Sequence, residues 1–273
     1  PRKRESKRIS WGADFKIPAF DGQHVLEDDG ALLTWLESLK TEGLALLKNC
    51  PLNQGAVEWF ADRIAFLRET NFGRVFDVYS KLDPDSNAYT SLELPLHTDL
   101  PTRELQPGLQ FLLCRVNQAV GGDSIMADGF RIAEKMRTEE PGHFNILCTT
   151  PMEFRNRARN SDYRVQAPAI RLDENGDVTE IRFGNFLRGP FHAAEERMPS
   201  LYSAYRHLMG MTREDRFRVN FRMGPGDMVT FDNCRVLHAR SAFDPNSGHR
   251  HLQGCYLDTD QMKSRIRVLN RML

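Results

Sequence analysis

Apolar residues recur at helical spacing through Leu32, Leu33, Trp35, Leu36 and Leu39, and Gly43 breaks the run. Leu44-Ala45-Leu46-Leu47 then reads as a short buried strand. A second amphipathic helix is expected from about Ala56 to Leu67, with Val57, Phe60, Ile64 and Leu67 on one face. Beyond it the pattern turns to β. Leu109 to Val116 is an apolar run opened by Pro107-Gly108. Ala169–Leu172 and Val178–Phe183 flank Asn175-Gly176, a hairpin signal. Phe217, Val219 and Phe221 alternate with Arg218, Asn220 and Arg222, as on a half-buried strand. The turn Gly224-Pro225-Gly226-Asp227 leads into a strand at Met228–Phe231. Helices near Arg131–Arg137 and Leu201–Met209 interrupt this region. Many strands with few strand–helix–strand units predict a mainly β barrel or sandwich with flanking helices.

Composition narrows the class. The chain has 273 residues, with 37 Lys+Arg against 37 Asp+Glu, so no nucleic-acid partner is suggested. At 40% hydrophobic and 27% charged it is an ordinary globular composition. No apolar run approaches the ~20 residues of a membrane helix, and no secretory signal is visible. The cysteines Cys50, Cys114, Cys148, Cys234 and Cys255 are odd in number and form no C-x-x-C pair. A disulfide framework is therefore not expected, and reduced thiols in a cytoplasmic compartment are. The opening run Pro1 to Arg8 is basic and reads as a solvated tail or linker remnant over 1–10, with one domain over 11–273.

One histidine carries a carboxylate two residues on: His97-Thr98-Asp99. On a strand these positions share a face, so both side chains can ligate one metal from one element. His238, at the end of the segment starting at Asp227, supplies a third ligand. Two histidines and a carboxylate form the facial triad of non-haem Fe(II) oxygenases. Taken singly, each has a plainer reading: a chance His-x-Asp, or a core histidine. Arg250 follows on what reads as the next strand. An oxygenase using a 2-oxoacid needs a guanidinium to grip the distal carboxylate, although a surface ion pair is the usual fate of an arginine. Gly121-Gly122-Asp123-Ser124 reads as a turn, with Ser124 able to donate to a bound carboxylate.

The ordered set Ala88-Tyr89-Thr90, Leu96-His97-Thr98-Asp99, Pro107-Gly108, Gly121-Gly122-Asp123-Ser124, Asp128-Gly129-Phe130, Pro225-Gly226-Asp227, Phe231-Asp232-Asn233, Arg235, Leu237-His238 and Arg250-His251-Leu252 resembles the γ-butyrobetaine and trimethyllysine dioxygenases, more closely the first. The resemblance implies a double-stranded β-helix (jelly roll, cupin-like), Fe(II), and 2-oxoglutarate and O2 as co-substrates. It carries over His97, Asp99 and His238 as iron ligands, Arg250 as the 2-oxoglutarate clamp and, by wider analogy, Ser124 beside it. It implies a cage for a trimethylammonium group at Phe72, Phe76, Tyr89, Leu100 and Tyr256, where Leu100 departs from the family's Tyr. An Asn that helps bind the substrate carboxylate is replaced by Gly184, and Arg182, Asn185 and Arg188 nearby can serve an anionic head group; Arg182 reads equally as a solvated strand residue. The family's N-terminal zinc-type domain is matched by nothing in this sequence, and homodimers are common in the family. The expected function is hydroxylation of a small quaternary-ammonium substrate, γ-butyrobetaine-like, in carnitine-type chemistry. Trimethylaminoethylphosphonate and trimethyllysine are related alternatives. A non-catalytic betaine-binding module is the alternative from another class.

Overall fold

The computed structural model describes residues 8–79 and 90–273. The basic run over 1–7 and the predicted cage residue Tyr89 lie outside them. Arg8 and Ile9 are already bound to the body: Arg8 Nη1 donates to Val178 O at 2.8 Å and Ile9 N to Thr41 O at 3.0 Å.

Two sheets face one another as a double-stranded β-helix. The larger has the order Ala19–Asp21, Leu44–Lys48, Met228–Asp232, Leu109–Asn117, Arg250–Leu257 and Val75–Val78. The smaller has the order Arg218–Phe221, Ser124–Asp128, Val236–Arg240 and Leu94–His97. Period-two alternation decides what each sheet presents to each side. Ala45 and Leu47 pack outward against the helices Asp29–Glu42, Ala56–Asp62 and Thr259–Met272, whereas Leu44 and Leu46 point inward. That is why Leu44–Leu47 reads as an unbroken apolar run: both its faces are buried. In the smaller sheet Leu237 and Ala239 pack outward on the helices Gly129–Glu139, Pro141–Thr149 and Met198–Met211. Val236, His238 and Arg240 alternate with them and belong to the inner face. Among the described residues, no helix is long and apolar enough to cross a membrane.

The first predicted helix spans Asp29–Glu42, capped by Asp28, whose carboxylate accepts from Ala31 N at 2.7 Å, and closed by Gly43 at φ +77°. The second is shorter than its apolar face suggests and ends at Asp62. Ile64 and Leu67 are buried, but from a loop. Just past them Arg68 is drawn onto the larger sheet: its N–H donates to Tyr256 O at 2.8 Å and its guanidinium reaches Asp258 at 2.7 Å. The expected Asn175-Gly176 hairpin joins Ile170–Leu172 to Val178–Ile181, with Gly176 at φ +81°. The pattern did not announce the hairpin Met152–Ala158/Ser161–Ala167 or the C-terminal helix Thr259–Met272.

A buried ion pair joins the layers. Arg235 is 2% exposed and grips Asp128 with two bonds, Nε to Oδ1 at 3.0 Å and Nη2 to Oδ2 at 2.8 Å. Asp128 also caps the helix Gly129–Glu139 through Phe130 N and accepts from Trp11 N. Two further guanidinium protons go to Thr41 O and Ile9 O. Arg235 stands directly before the strand that carries His238. Removing one partner strands a buried charge, so Arg235→Ala should lower stability by about 3–5 kcal/mol. A fall in the urea midpoint at unchanged slope would show this; an unchanged midpoint would refute it.

Candidate metal centre and substrate chamber

Antiparallel pairing sets His97 directly opposite His238, with ring centroids 4.2 Å apart. Asp99 arrives differently from the expectation of a shared strand. The strand Leu94–His97 ends at the histidine, and Asp99 lies beyond it in a turn. Thr98 N donates to Phe183 O at 2.7 Å, and Leu100 adopts φ +51°, a region unusual for a side chain with a Cβ. Asn233, fully buried, holds this turn from both sides. Its Oδ1 accepts from Asp99 N at 2.7 Å and its Nδ2 donates to Asp99 O at 3.0 Å.

The result is a convergent donor set. Asp99 Oδ1 lies 3.2 Å from His97 Nε2 and 3.6 Å from His238 Nε2, and the three ligand atoms all fall within 4.8 Å of one another. Tyr256 OH donates to the other oxygen, Oδ2, at 2.7 Å. His97 Nδ1 lies 2.9 Å from Pro95 O. A carbonyl can only accept, so Nδ1 carries a proton, and Nε2 is the ring nitrogen turned to the Asp99 oxygen. Burial foremost, then the facing His97, pushes His238 down to about 3, leaving it neutral. Burial opposes the Asp99 charge, but the facing imidazoles and the Tyr256 hydroxyl outweigh it and hold its pKa below the usual carboxylate range. Two imidazoles and an ionised carboxylate converging on one point suit ferrous iron.

Arg250 closes one end of the same cavity, 8% exposed. Burial foremost, then neighbouring Arg240, lowers it to about 10, so it keeps its charge at neutral pH. Its Nε is buried with no hydrogen-bond partner among the described residues, and Nη2 reaches only Gly122 O at 3.4 Å. Gly122 has φ +77°, and a Cβ there would lie 2.9 Å from Arg250 Nε, so glycine is required on both counts. Ser124 also lines the cavity and pairs across the sheet with Arg240. Arg240, absent from the sequence reading, donates to Thr90 O at 2.7 Å and Leu92 O at 2.6 Å. Both guanidinium groups lie over the Phe243 ring, at 4.9 and 5.5 Å. The signal was present: Arg240 is two residues past His238 and so shares its face.

The cavity has a volume of about 720 Å³. Phe72, Phe76, Leu100 and Tyr256 cluster on its wall beside Asp99. Phe76 stacks on Tyr256 at 4.9 Å and meets Phe72 at 6.4 Å. Gly184 sits by His97, where an added Cβ would lie 3.8 Å from His97 Cβ, an ordinary contact. Asn185, expected to touch substrate, is exposed and lines a separate cavity with Pro95 and Phe183. The short turn Asn185–Leu187 points it away and gives the chamber Phe186 and Leu187 instead. Arg182 is neither a solvated strand residue nor a substrate contact. At 1% exposure it binds Glu180 and the carbonyls of Pro101, Arg103 and Glu104, bracing the segment behind Leu100. Arg188 lies over the rings of Phe191 and Tyr205. The sequence reading also missed Gln110 and the hairpin residues Asn156, Arg159 and Tyr163 on the cavity wall.

Comparisons with known proteins agree with this geometry. The family described as "Taurine catabolism dioxygenase TauD, TfdA family" matches residues 4–256. The γ-butyrobetaine dioxygenase of Pseudomonas sp. strain AK-1 is 56% identical over 261 residues, covering 96% of this chain and 68% of that protein. The human γ-butyrobetaine dioxygenase is 34% identical over 266 residues, covering 96% and 69%. Asparagine oxygenase, solved with Fe(II), (2S,3S)-3-hydroxyasparagine and succinate, superposes with a TM-score of 0.67 at 18% identity, covering 84% of this chain and 80% of that one. At that identity it speaks for the fold alone.

Because Asn233 holds both the N–H and the carbonyl of Asp99, Asn233→Ala should weaken metal affinity about 10–100-fold. Equilibrium dialysis of Co(II) measures this, with His238→Ala as the reference for a lost ligand; wild-type affinity in the Asn233 variant would show that Asp99 is held by other means.

Proposed function

The chain belongs to the TauD/TfdA family of dioxygenases, and on that premise we propose that it hydroxylates a small trimethylammonium acid of the γ-butyrobetaine type. It is an Fe(II)- and 2-oxoglutarate-dependent dioxygenase. The substrate reading rests on one observation above all: Phe72, Phe76 and Tyr256 gather on the chamber wall next to the Asp99 carboxylate. A quaternary ammonium has no N–H to donate, so aromatic faces hold it better than polar groups do, by about 2 kcal/mol or more once it is desolvated. The names of the two γ-butyrobetaine dioxygenases support the same reading.

In this proposal His97, Asp99 and His238 hold the iron and Arg250 grips the far carboxylate of 2-oxoglutarate, with Ser124 beside it. Iron held there would, with 2-oxoglutarate and O2 as co-substrates, supply the oxidising power to hydroxylate an unactivated C–H bond, 2-oxoglutarate leaving as succinate and CO2. The chain's own task is positioning. The aromatic wall fixes the ammonium head, and the walls from Leu112, Leu252 and Phe186 keep water away from the target carbon. Tyr256 serves twice, stacking on Phe76 and binding Asp99 Oδ2, so the cage and the metal ligand form one unit. The reading extends to a cytoplasmic homodimer: the cysteines are unpaired, as a reducing compartment leaves them, and dimers are common in the family the sequence resembles.

Iron-loaded protein should release succinate with γ-butyrobetaine, in step with hydroxylated product. Phe76→Leu, which keeps apolar volume but removes the ring, should raise the KM for γ-butyrobetaine about 30-fold and leave that for 2-oxoglutarate unchanged. Succinate release that no trimethylammonium compound stimulates would remove the substrate assignment.

A further inference from the structure

We infer that Arg159 forms an anion-recognising subsite at the mouth of the chamber and reads the acidic end of a zwitterionic substrate. The inference rests on the substrate reading above and names the group that answers the substrate's negative charge. The hairpin Met152–Ala158/Ser161–Ala167 pairs Asn156 with Tyr163 and Ala158 with Ser161. These four residues line the chamber, as does the turn Arg159-Asn160. Alternation puts Arg155, Arg157 and Arg164 on the other face, where Arg155 and Arg164 pair with Asp162. Arg159 is therefore the hairpin's one chamber-lining cation, and it makes no ion pair or hydrogen bond with any described residue. The chamber's other arginines, Arg240 and Arg250, sit at the 2-oxoglutarate end, and Arg182 and Arg188 are committed elsewhere.

The hairpin is anchored at its base and near its middle. Its base is buried through Met152 and Phe154, and Gly189 N donates to Glu153 O at 2.8 Å. Near its middle, Arg103 lies 3.4 Å over the Tyr163 ring and donates to Asn71 Oδ1 at 2.6 Å, tying the hairpin to the loop that carries Phe72. The turn stands three residues past Asn156, about 10 Å along the strand. A short zwitterion and an arginine side chain together bridge such a span. A planar guanidinium offers a carboxylate or a phosphonate two parallel donors.

Succinate release by wild type, Arg159→Gln and Arg157→Gln is compared with γ-butyrobetaine, its carboxamide, whose head group is uncharged, and trimethylaminoethylphosphonate. Arg159 is exposed, so the expected effect is moderate: KM for the two substrates with an acidic head group rises about tenfold in Arg159→Gln. KM for the carboxamide and for 2-oxoglutarate stays as in wild type, and Arg157→Gln behaves as wild type throughout. The anion with the lower wild-type KM identifies the head group. An unchanged preference for anion over amide in Arg159→Gln, or an equal loss in Arg157→Gln, overturns the subsite and leaves the hydroxylase reading standing. A wild type that turns over none of the three overturns that reading and the inference with it.

Discussion

The antiparallel register between Leu94–His97 and Val236–Arg240 is the constraint on which the centre depends. It sets His97 against His238, and a slip of one residue would turn His238 toward the helices and Leu237 into the chamber. Several features keep that register. Outward-facing Leu237 and Ala239 are locked into the helical layer. Arg235, just before the strand, is held by Asp128 and by the chain's first described residues. Asn233, two residues earlier still, ties the same segment to the Asp99 turn. One stretch of chain therefore positions two of the three donor groups, one as its own side chain and one through hydrogen bonds.

Burial does two opposite things in the chamber, and both serve the chemistry. It strips the proton from His238, whose pKa falls to about 3, and so frees a lone pair for a metal. It lowers Arg250 and Arg240 only to about 10, which leaves both cationic in the chamber wall. The same low-dielectric setting strengthens the attraction between a cation and the Phe76 and Tyr256 rings. The chamber wall thus holds Arg240 and Arg250, the Asp99 carboxylate with its two imidazoles, and the aromatic cluster of Phe72, Phe76 and Tyr256.

Much of the core was legible. The helix ending at Gly43, the buried run Leu44–Leu47 and the Asn175-Gly176 hairpin rest on local rules of spacing and turn chemistry, and such rules need no knowledge of the partner. The helix expected to reach Leu67 shows where they stop. Its apolar spacing continues past Asp62, but Arg68 finds backbone and carboxylate partners on the larger sheet and the helix ends early. The Met152–Ala167 hairpin was hidden because only its base is buried and its outer half is polar on both faces.

By itself the sequence determined the kinds of donor available, their order and the mainly β character, because periodicity and residue chemistry are local properties. Tertiary structure decided which candidates meet. Arg182 and Arg188, plausible anion binders in the linear chain, are spent on carbonyls and rings. Asn185 faces away, whereas Arg240 and Arg159 face in. Asp99 reaches the imidazoles through a turn held by Asn233, not through strand alternation. Each outcome turns on which distant segment supplies the neighbouring wall, and a side chain's partners across the barrel are set by packing that no local pattern records.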